Sequence, residues 1–285
     1  DYGGTKIEGI LINDKGEEIL RKRSGYEKNY ESGVNTIKNL VEEFDKHTNS
    51  KNSVGIGIPG SSSKENGLIK NANSIWLNGK PFKKDLEMSL DREIKIMNDA
   101  NCFALSEAID GSGANYNTVW GVIIGSGFGG SFVHNKKVVE GVNQVAGDWG
   151  HQPLPYPSKE EWDLNLKCPV DNCGRPLCAE QFISGIGFTN IFNRKYKTNF
   201  TTKEIVDLEL NGDERAKKEF DLYEDRFARL IAVMIGIVDP DVIILGGGMS
   251  NIERLYSNIP KLLPKYTFSD KVRNKILRNT HGDSS

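Results

Sequence analysis

The chain has 285 residues and a mass of 31.7 kDa, a length that suits roughly two domains. Its 37 Lys+Arg stand against 39 Asp+Glu, a net charge of −2 with a pI near 6.2, which excludes the basic excess of a general nucleic-acid binder. At 37% hydrophobic and 27% charged residues the composition suits a packed core rather than disorder, and no apolar run approaches the ~18 residues that span a bilayer.

The predicted elements alternate between strands and helices. Residues 1–23 read as two short strands, with apolar Ile7–Ile12 running into a hairpin-type turn at Asn13-Asp14-Lys15-Gly16. Val34, Ile37, Leu40, Val41 and Phe44 recur at helical spacing over 32–46. A strand over Ser53–Ile58 stops at Pro59-Gly60, and a loop carrying Asn71–Asn73 and Asn78-Gly79 follows. A helix is expected at Phe82–Leu90, a strand at Ile94–Met97, and a helix from after Asn98-Asp99 through Ala108. Gly111–Asn115 is the expected hinge, dividing the chain into 1–110 and 111–285. Val119–Ile124 and Ser131–Val133 read as strands around Gly125–Gly130, and 145–180 as an irregular stretch rich in Gly, Pro and Cys. Helices at Thr202–Leu210, Asp213–Val238 and Asn251–Leu263 flank a strand at Val242–Leu245. This alternation predicts α/β layering. There is no low-complexity tract and no visible repeat.

Three glycine clusters stand out: Asp1-Tyr2-Gly3-Gly4-Thr5-Lys6, Gly125-Ser126-Gly127-Phe128-Gly129-Gly130, and Gly246-Gly247-Gly248. Glycines let backbone N–H groups approach a ligand closely, and consecutive inward N–H groups form a concavity suited to phosphates. One such cluster could be only a tight turn; three are harder to set aside. The second formally matches G-x-G-x-x-G, but that fingerprint needs a helix next, and here a strand, a turn and another strand follow. No G-x-x-x-x-G-K-[ST] loop is present. β-Hairpin turns are therefore the expected phosphate holders.

Asp99 lies between a strand and a helix, where a carboxylate is either an N-cap or a site residue, and spacing alone leaves both open. His151, Cys168, Cys173 and Cys178 form a Cys₃His set of the kind that holds structural zinc, the alternative being thiols without a metal. Cys102 reads as a small buried residue.

Asp1–Lys6, Asn98-Asp99-Ala100-Asn101, Gly147-Asp148-Trp149-Gly150-His151, the cysteine cluster and Asp239–Gly248 resemble, in order and over essentially the whole chain, the ROK family of sugar kinases and repressors. Lys70–Gly79 and His281–Ser285 are most similar to its bacterial fructokinase branch, with the N-acetylglucosamine kinases near. The resemblance implies a two-domain actin-like (ribonuclease-H-like) α/β fold with an interdomain cleft, ATP and Mg²⁺ as cofactors, and a hexose phosphorylated at its 6-hydroxyl, fructose first. By the same resemblance Asp99 is the base toward the attacking hydroxyl. Asn98, Gly60, Asp148, His151 and Glu180 bind the sugar. Asp1, Gly3, Gly4, Thr5 and Lys6, Gly125, Ser126, Gly127, Gly129 and Gly130, and Gly246, Gly247 and Gly248 bind the nucleotide, Asp1 beside Mg²⁺. Lys6 could equally be a solvated strand residue. His151, Cys168, Cys173 and Cys178 hold zinc.

The chain departs from the family's pattern in places. A family His is followed by C-x-C-G-x-x-G-C, whereas four residues separate Cys168 from Cys173 and Leu177 replaces a glycine. Asp148 stands where the family has Glu. Both chain ends read as trimmed, with a strand before Asp1 and a terminal helix expected. A homodimer in the cytoplasm, without nucleic-acid or membrane partners, is expected. The competing readings are an N-acetylglucosamine or N-acetylmannosamine kinase, a sugar-responsive ROK repressor, which would carry a helix-turn-helix domain ahead of Asp1, and a catalytically dead sugar-binding module.

Overall fold

The computed structural model describes residues 1–4, 6–167 and 173–282. The chain divides into two compact units, Asp1–Cys102 and Phe103–Ser285.

In the first unit β1 (Lys6–Ile12) and β2 (Glu18–Gly25) form an antiparallel hairpin. Asn13 sets its turn, accepting the N–H groups of Lys15 and Glu17 on one side-chain oxygen. α1 (Tyr30–Thr48) starts where Asn29 accepts the N–H of Ser32 and ends at Asn49 in the left-handed region, so the caps extend the helix beyond its apolar stripe. That stripe, Ile37, Leu40, Val41 and Phe44, is buried. β3 (Val54–Ile58) is followed by the short ladder of β4 (Ser61–Ser62) and β5 (Ile69–Lys70) within the predicted loop. α2 (Phe82–Leu90) has the predicted bounds, and β6 (Ile94–Asn98) pairs parallel with β3, placing Asn98 opposite Ile58. Asp1 and Glu8 exchange backbone hydrogen bonds, and Tyr2 N–H donates to Gly57 O, so residues 1–2 connect β1 to β3. Tyr2, Leu40, Ile58, Leu77, Phe82 and Ile94 are the centre of this unit's core.

α3 (Asp99–Ile109) contains the division between the units, ahead of Gly111–Asn115. In the second unit β7 (Thr118–Ile124), β8 (Phe128–His134) and β9 (Lys137–Val138) form an antiparallel meander. Gly129 and Gly130 belong to β8, not to the turn, which shortens the expected glycine loop. A Cβ at Gly130 would meet Gly121 O at 2.7 Å, so close packing of the strand requires glycine there. The irregular stretch contains α4 (Lys159–Asp163), opened by a Ser158/Glu161 capping box, and α5 (Glu180–Ile183). α6 (Gly185–Tyr196), α7 (Thr202–Leu210) and α8 (Glu214–Val238) follow. β10 (Val242–Gly246), α9 (Arg254–Leu262) and β11 (Lys275–Arg278) complete the unit. The sheet order is β11-β10-β7-β8-β9, with β11, β10 and β7 parallel. All five β10 residues are buried, as expected of a central parallel strand. α6 and β11 go beyond the sequence reading. Gly185 and Gly187 look like loop residues, and β11 has only four residues, two of them charged.

Candidate functional site

The first unit gathers its polar residues where β6 meets α3. Asn98 ends the strand and its Oδ1 accepts the N–H of Asn101 at 3.3 Å, the work of an N-cap. Its Nδ2 donates to Gly60 O at 3.0 Å. Gly60 has φ +76°, and a Cβ there would lie 2.4 Å from Lys70 O, so only glycine fits this turn. Capping therefore falls to Asn98, while Asp99 Oδ1 accepts the N–H of Ala100 at 2.8 Å within its own turn. Asp99 is exposed as a residue. Desolvation by the surrounding protein nevertheless raises its carboxyl pKa, against the bond from Ala100 and the Asn98 side chain, which lower it. Cys102, one turn along α3, is half-buried. Burial, then the Asp99 charge, pushes its thiol up to about 11, so it stays protonated.

Gly3 is closely packed against Lys6. Gly3 N–H donates to Lys6 O at 3.0 Å, and a Cβ at Gly3 would meet that oxygen at 2.8 Å. Gly4 faces open space, Asp1 is exposed, and Lys6 is exposed at the start of β1. Thr5, expected at the nucleotide, lies outside the described residues.

In the second unit the β7–β8 turn is closed by Gly125 N–H to Gly127 O at 3.0 Å, leaving Ser126 exposed at its tip. Gly125 O accepts the N–H of Gly185 at 2.8 Å, and Glu180 Oε2 accepts the N–H of Phe128 at 3.1 Å. The third cluster packs on this turn. Gly247 has φ +77°, and a Cβ there would lie 2.5 Å from Ile124 O and 2.9 Å from Gly125 N. Gly246 fits against the Phe103 ring, while Gly248 faces open space. The structure thus brings the second and third glycine clusters together. It also adds the Glu180–Phe128 bond, which no sequence spacing announces.

The segment from Gly147 to His151 is pressed onto β8. A Cβ at Gly147 would meet Gly130 O at 2.5 Å, and one at Gly150 would meet Phe128 O at 1.9 Å. Trp149 is buried against Phe128 and Trp120, with ring centroids 4.8 and 5.5 Å away. Asp148 is exposed. His151 Nδ1 lies 3.7 Å from Cys178 Sγ, which is 3.4 Å from Cys173 Sγ, and the three ligand atoms lie within 4.8 Å of one another. Two thiolates on one tetrahedral zinc sit about 3.8 Å apart, given Zn–S bonds of about 2.3 Å, so this donor set fits that metal. Cys168, the expected fourth ligand, lies outside the described residues. Leu177, at the family's glycine position, is buried with φ +52°, the left-handed region in which glycine is preferred. That explains why a glycine is usual there and shows that this chain adopts the turn without one.

A family model described as "ROK family" matches residues 1–285. An N-acetyl-D-glucosamine kinase of Haemophilus influenzae is 38% identical over 287 residues, covering 100% of this chain and 94% of the relative. One from Vibrio parahaemolyticus is 36% identical over 288 residues with the same coverage. The crystal structure of a ROK hexokinase from Thermus thermophilus superposes with a TM-score of 0.85 at 22% identity, covering 98% of this chain and 91% of the other. These relatives correct the leaning toward the fructokinase branch. Two residues of the stretches behind that leaning make contacts within the fold. Asn78 clamps Ala72 by accepting its N–H and donating to its O, at 2.9 and 3.0 Å. His281 is held by its N–H to Glu107 and its ring to Asp110, at 3.0 and 2.8 Å. Such contacts stabilise loops. Among the described residues no helix is long and apolar enough to cross a membrane.

Proposed function

The chain belongs to the ROK family and is an ATP-dependent sugar kinase with the family's α/β fold; from that premise we propose that its acceptor is N-acetylglucosamine, phosphorylated at the 6-hydroxyl. The observation that carries this choice is the full-length identity, 36–38%, to relatives named for that sugar.

In this reading Asp99 accepts the proton of the acceptor hydroxyl as its oxygen forms a bond to the γ-phosphorus and the bond to the departing ADP breaks. The reading is supported by the division of labour at the start of α3, where Asn98 caps the helix and Asp99 is an exposed residue. The start of α3 also favours the anion. Asn98, Gly60, Asp148, His151 and Glu180 are the proposed sugar contacts, although the Asn98 amide is already committed to Asn101 and Gly60. Backbone N–H groups of the three glycine clusters, with Ser126 and Lys6, are the proposed phosphate contacts. Asp1 offers the exposed carboxylate oxygen that Mg²⁺ prefers. When bound, Mg²⁺ neutralises charge on the phosphate oxygens. Zinc held by His151, Cys173 and Cys178 is a structural ion in this reading. A homodimer is part of the proposal, checked by light scattering.

The decisive experiment is turnover on N-acetylglucosamine, N-acetylmannosamine, glucose and fructose side by side. N-Acetylglucosamine is expected to give the highest kcat/KM, by at least about tenfold over fructose, because an acetamido pocket left unpaired costs binding. Equal or greater efficiency on fructose would return the assignment to the fructokinase branch.

A further inference from the structure

Glu180 has a second role available beyond contact with a sugar. Its Oε2 accepts the Phe128 N–H at 3.1 Å, at the exit of the β7–β8 turn. A Cβ at Gly127 would lie 3.0 Å from the same oxygen, so the carboxylate is seated directly against the glycine turn. On the entry side, Gly185 N–H donates to Gly125 O at 2.8 Å. Both grips come from the short helix α5 and the residue that opens α6, and they straddle the exposed Ser126. Glu180 is tied in turn to the 147–151 segment, its N–H donating to Gly150 O at 2.9 Å. Among the described residues Oε1 has no hydrogen bond.

We propose that Glu180 is a positioning residue for the glycine turn, one carboxylate oxygen fixing the turn for the triphosphate while the other receives an acceptor hydroxyl, so that sugar and nucleotide bind cooperatively. The inference rests on the reading of Glu180 as a sugar ligand and of the turn as a phosphate holder. A hydrogen bond to a carboxylate is stronger than one to a neutral acceptor, and without it the exit side of the turn loses the grip that matches the Gly185 bond on its entry side. Fixing the carboxylate by a hydroxyl on its other oxygen removes freedom that the turn would otherwise lose on binding phosphate. Any such coupling is reciprocal between the two ligands.

The test is calorimetric titration of the full chain with a non-hydrolysable ATP analogue and Mg²⁺, with and without N-acetylglucosamine, for wild type, Glu180→Ala and Glu180→Gln. Without sugar, E180A is expected to bind the analogue about tenfold more weakly, in line with loss of a charge-assisted hydrogen bond. E180Q retains an acceptor oxygen for Phe128 N–H and should stay within about threefold of wild type. Sugar should tighten analogue binding in wild type by about fivefold or more, and not in E180A. Wild-type analogue affinity in E180A, or equal losses in E180A and E180Q, overturns the positioning role. Titration of sugar alone separates the two readings. Undiminished sugar affinity in E180A removes Glu180 from the acceptor contacts and with it the cooperative half of the proposal, whereas weakened sugar binding with unchanged analogue binding overturns only the hold on the turn. Matched melting temperatures for the variants confirm that both are folded.

Discussion

Asp99 is kept ionisable in surroundings that resist its charge. Desolvation raises its folded pKa, so between the unfolded value and that raised value the folded state binds more protons than the unfolded one. Stability attributable to this group is complete below the unfolded value and is lost as pH rises through the folded one. Ionising this carboxyl therefore weakens the fold. Asp99→Asn retains an oxygen for the Ala100 N–H and removes the charge that the surroundings disfavour. The variant is expected to melt at or above the wild-type temperature at pH 7, the gap closing as pH falls below the window. Its kcat should drop by at least about 100-fold with sugar binding retained. Melting curves across pH together with turnover check both halves; a variant that melts lower at pH 7, or turns over near normally, contradicts the assignment. The sequence made Asp99 visible through its motif but left capping ambiguous. Only the Asn98–Asn101 bond resolves it, because capping depends on side-chain rotamers that spacing does not record. Leu177 is the converse case, readable as a departure from a pattern and understood only once its φ of +52° is known.

At the level of elements, apolar spacing located the long helices and central strands well, since burial on one face is written into the chain. What it missed is defined by contacts distant in sequence. α6 begins with glycines that are needed because a Cβ at Gly187 would meet Gln181 O at 2.5 Å. β11 exists because it pairs with β10, Ile276 opposite Ile243. The described residues of the 145–180 stretch did prove short of long regular elements, and they are held by other means: the glycines on β8, the buried Arg226 and Arg229 pairs to Glu161 at 2.9 and 2.6 Å, and the close approach of His151, Cys173 and Cys178. Purified protein should carry close to one zinc per chain by metal analysis. Removing it with a chelator is expected to raise the sugar KM by about tenfold, with a smaller change in kcat, because a metal held by His151, Cys173 and Cys178 would orient the chain around Asp148 and Glu180 rather than touch the phosphates. Metal-poor protein with undiminished KM would show that the thiols do not serve this purpose.

At the scale of the whole molecule, the two units have separate interiors. The first is centred on Tyr2, Leu77 and Phe82; the second has one cluster around Phe182, Phe220 and Phe227 and another around Phe103, Val119 and Ile244. Chains with independent cores commonly depart from two-state unfolding. Scanning calorimetry is therefore expected to give a van't Hoff enthalpy below the calorimetric one. Two substitutions assign the transitions. Gly33→Ala places a Cβ 2.2 Å from the Tyr2 hydroxyl inside α1 and should lower only the transition of the first unit, overpacking of this kind costing about 1–3 kcal/mol. In the second unit the buried Glu107 accepts N–H groups from Thr280 and His281 on Oε1, at 2.9 and 3.0 Å, and from Ser112 on Oε2, at 2.9 Å. Glu107→Gln sets an amide N–H against one of these donors whichever way it is turned, leaving at least one unsatisfied at a cost of about 1–3 kcal/mol. That variant should lower only the second unit's transition, by several degrees at about 2–4 °C per kcal/mol. Chelation should act on the same transition, since the proposed metal ligands His151, Cys173 and Cys178 all lie in that unit. A single transition with equal enthalpies, moved alike by all three perturbations, would mean that α3, which runs through the division, fuses the two interiors into one cooperative fold.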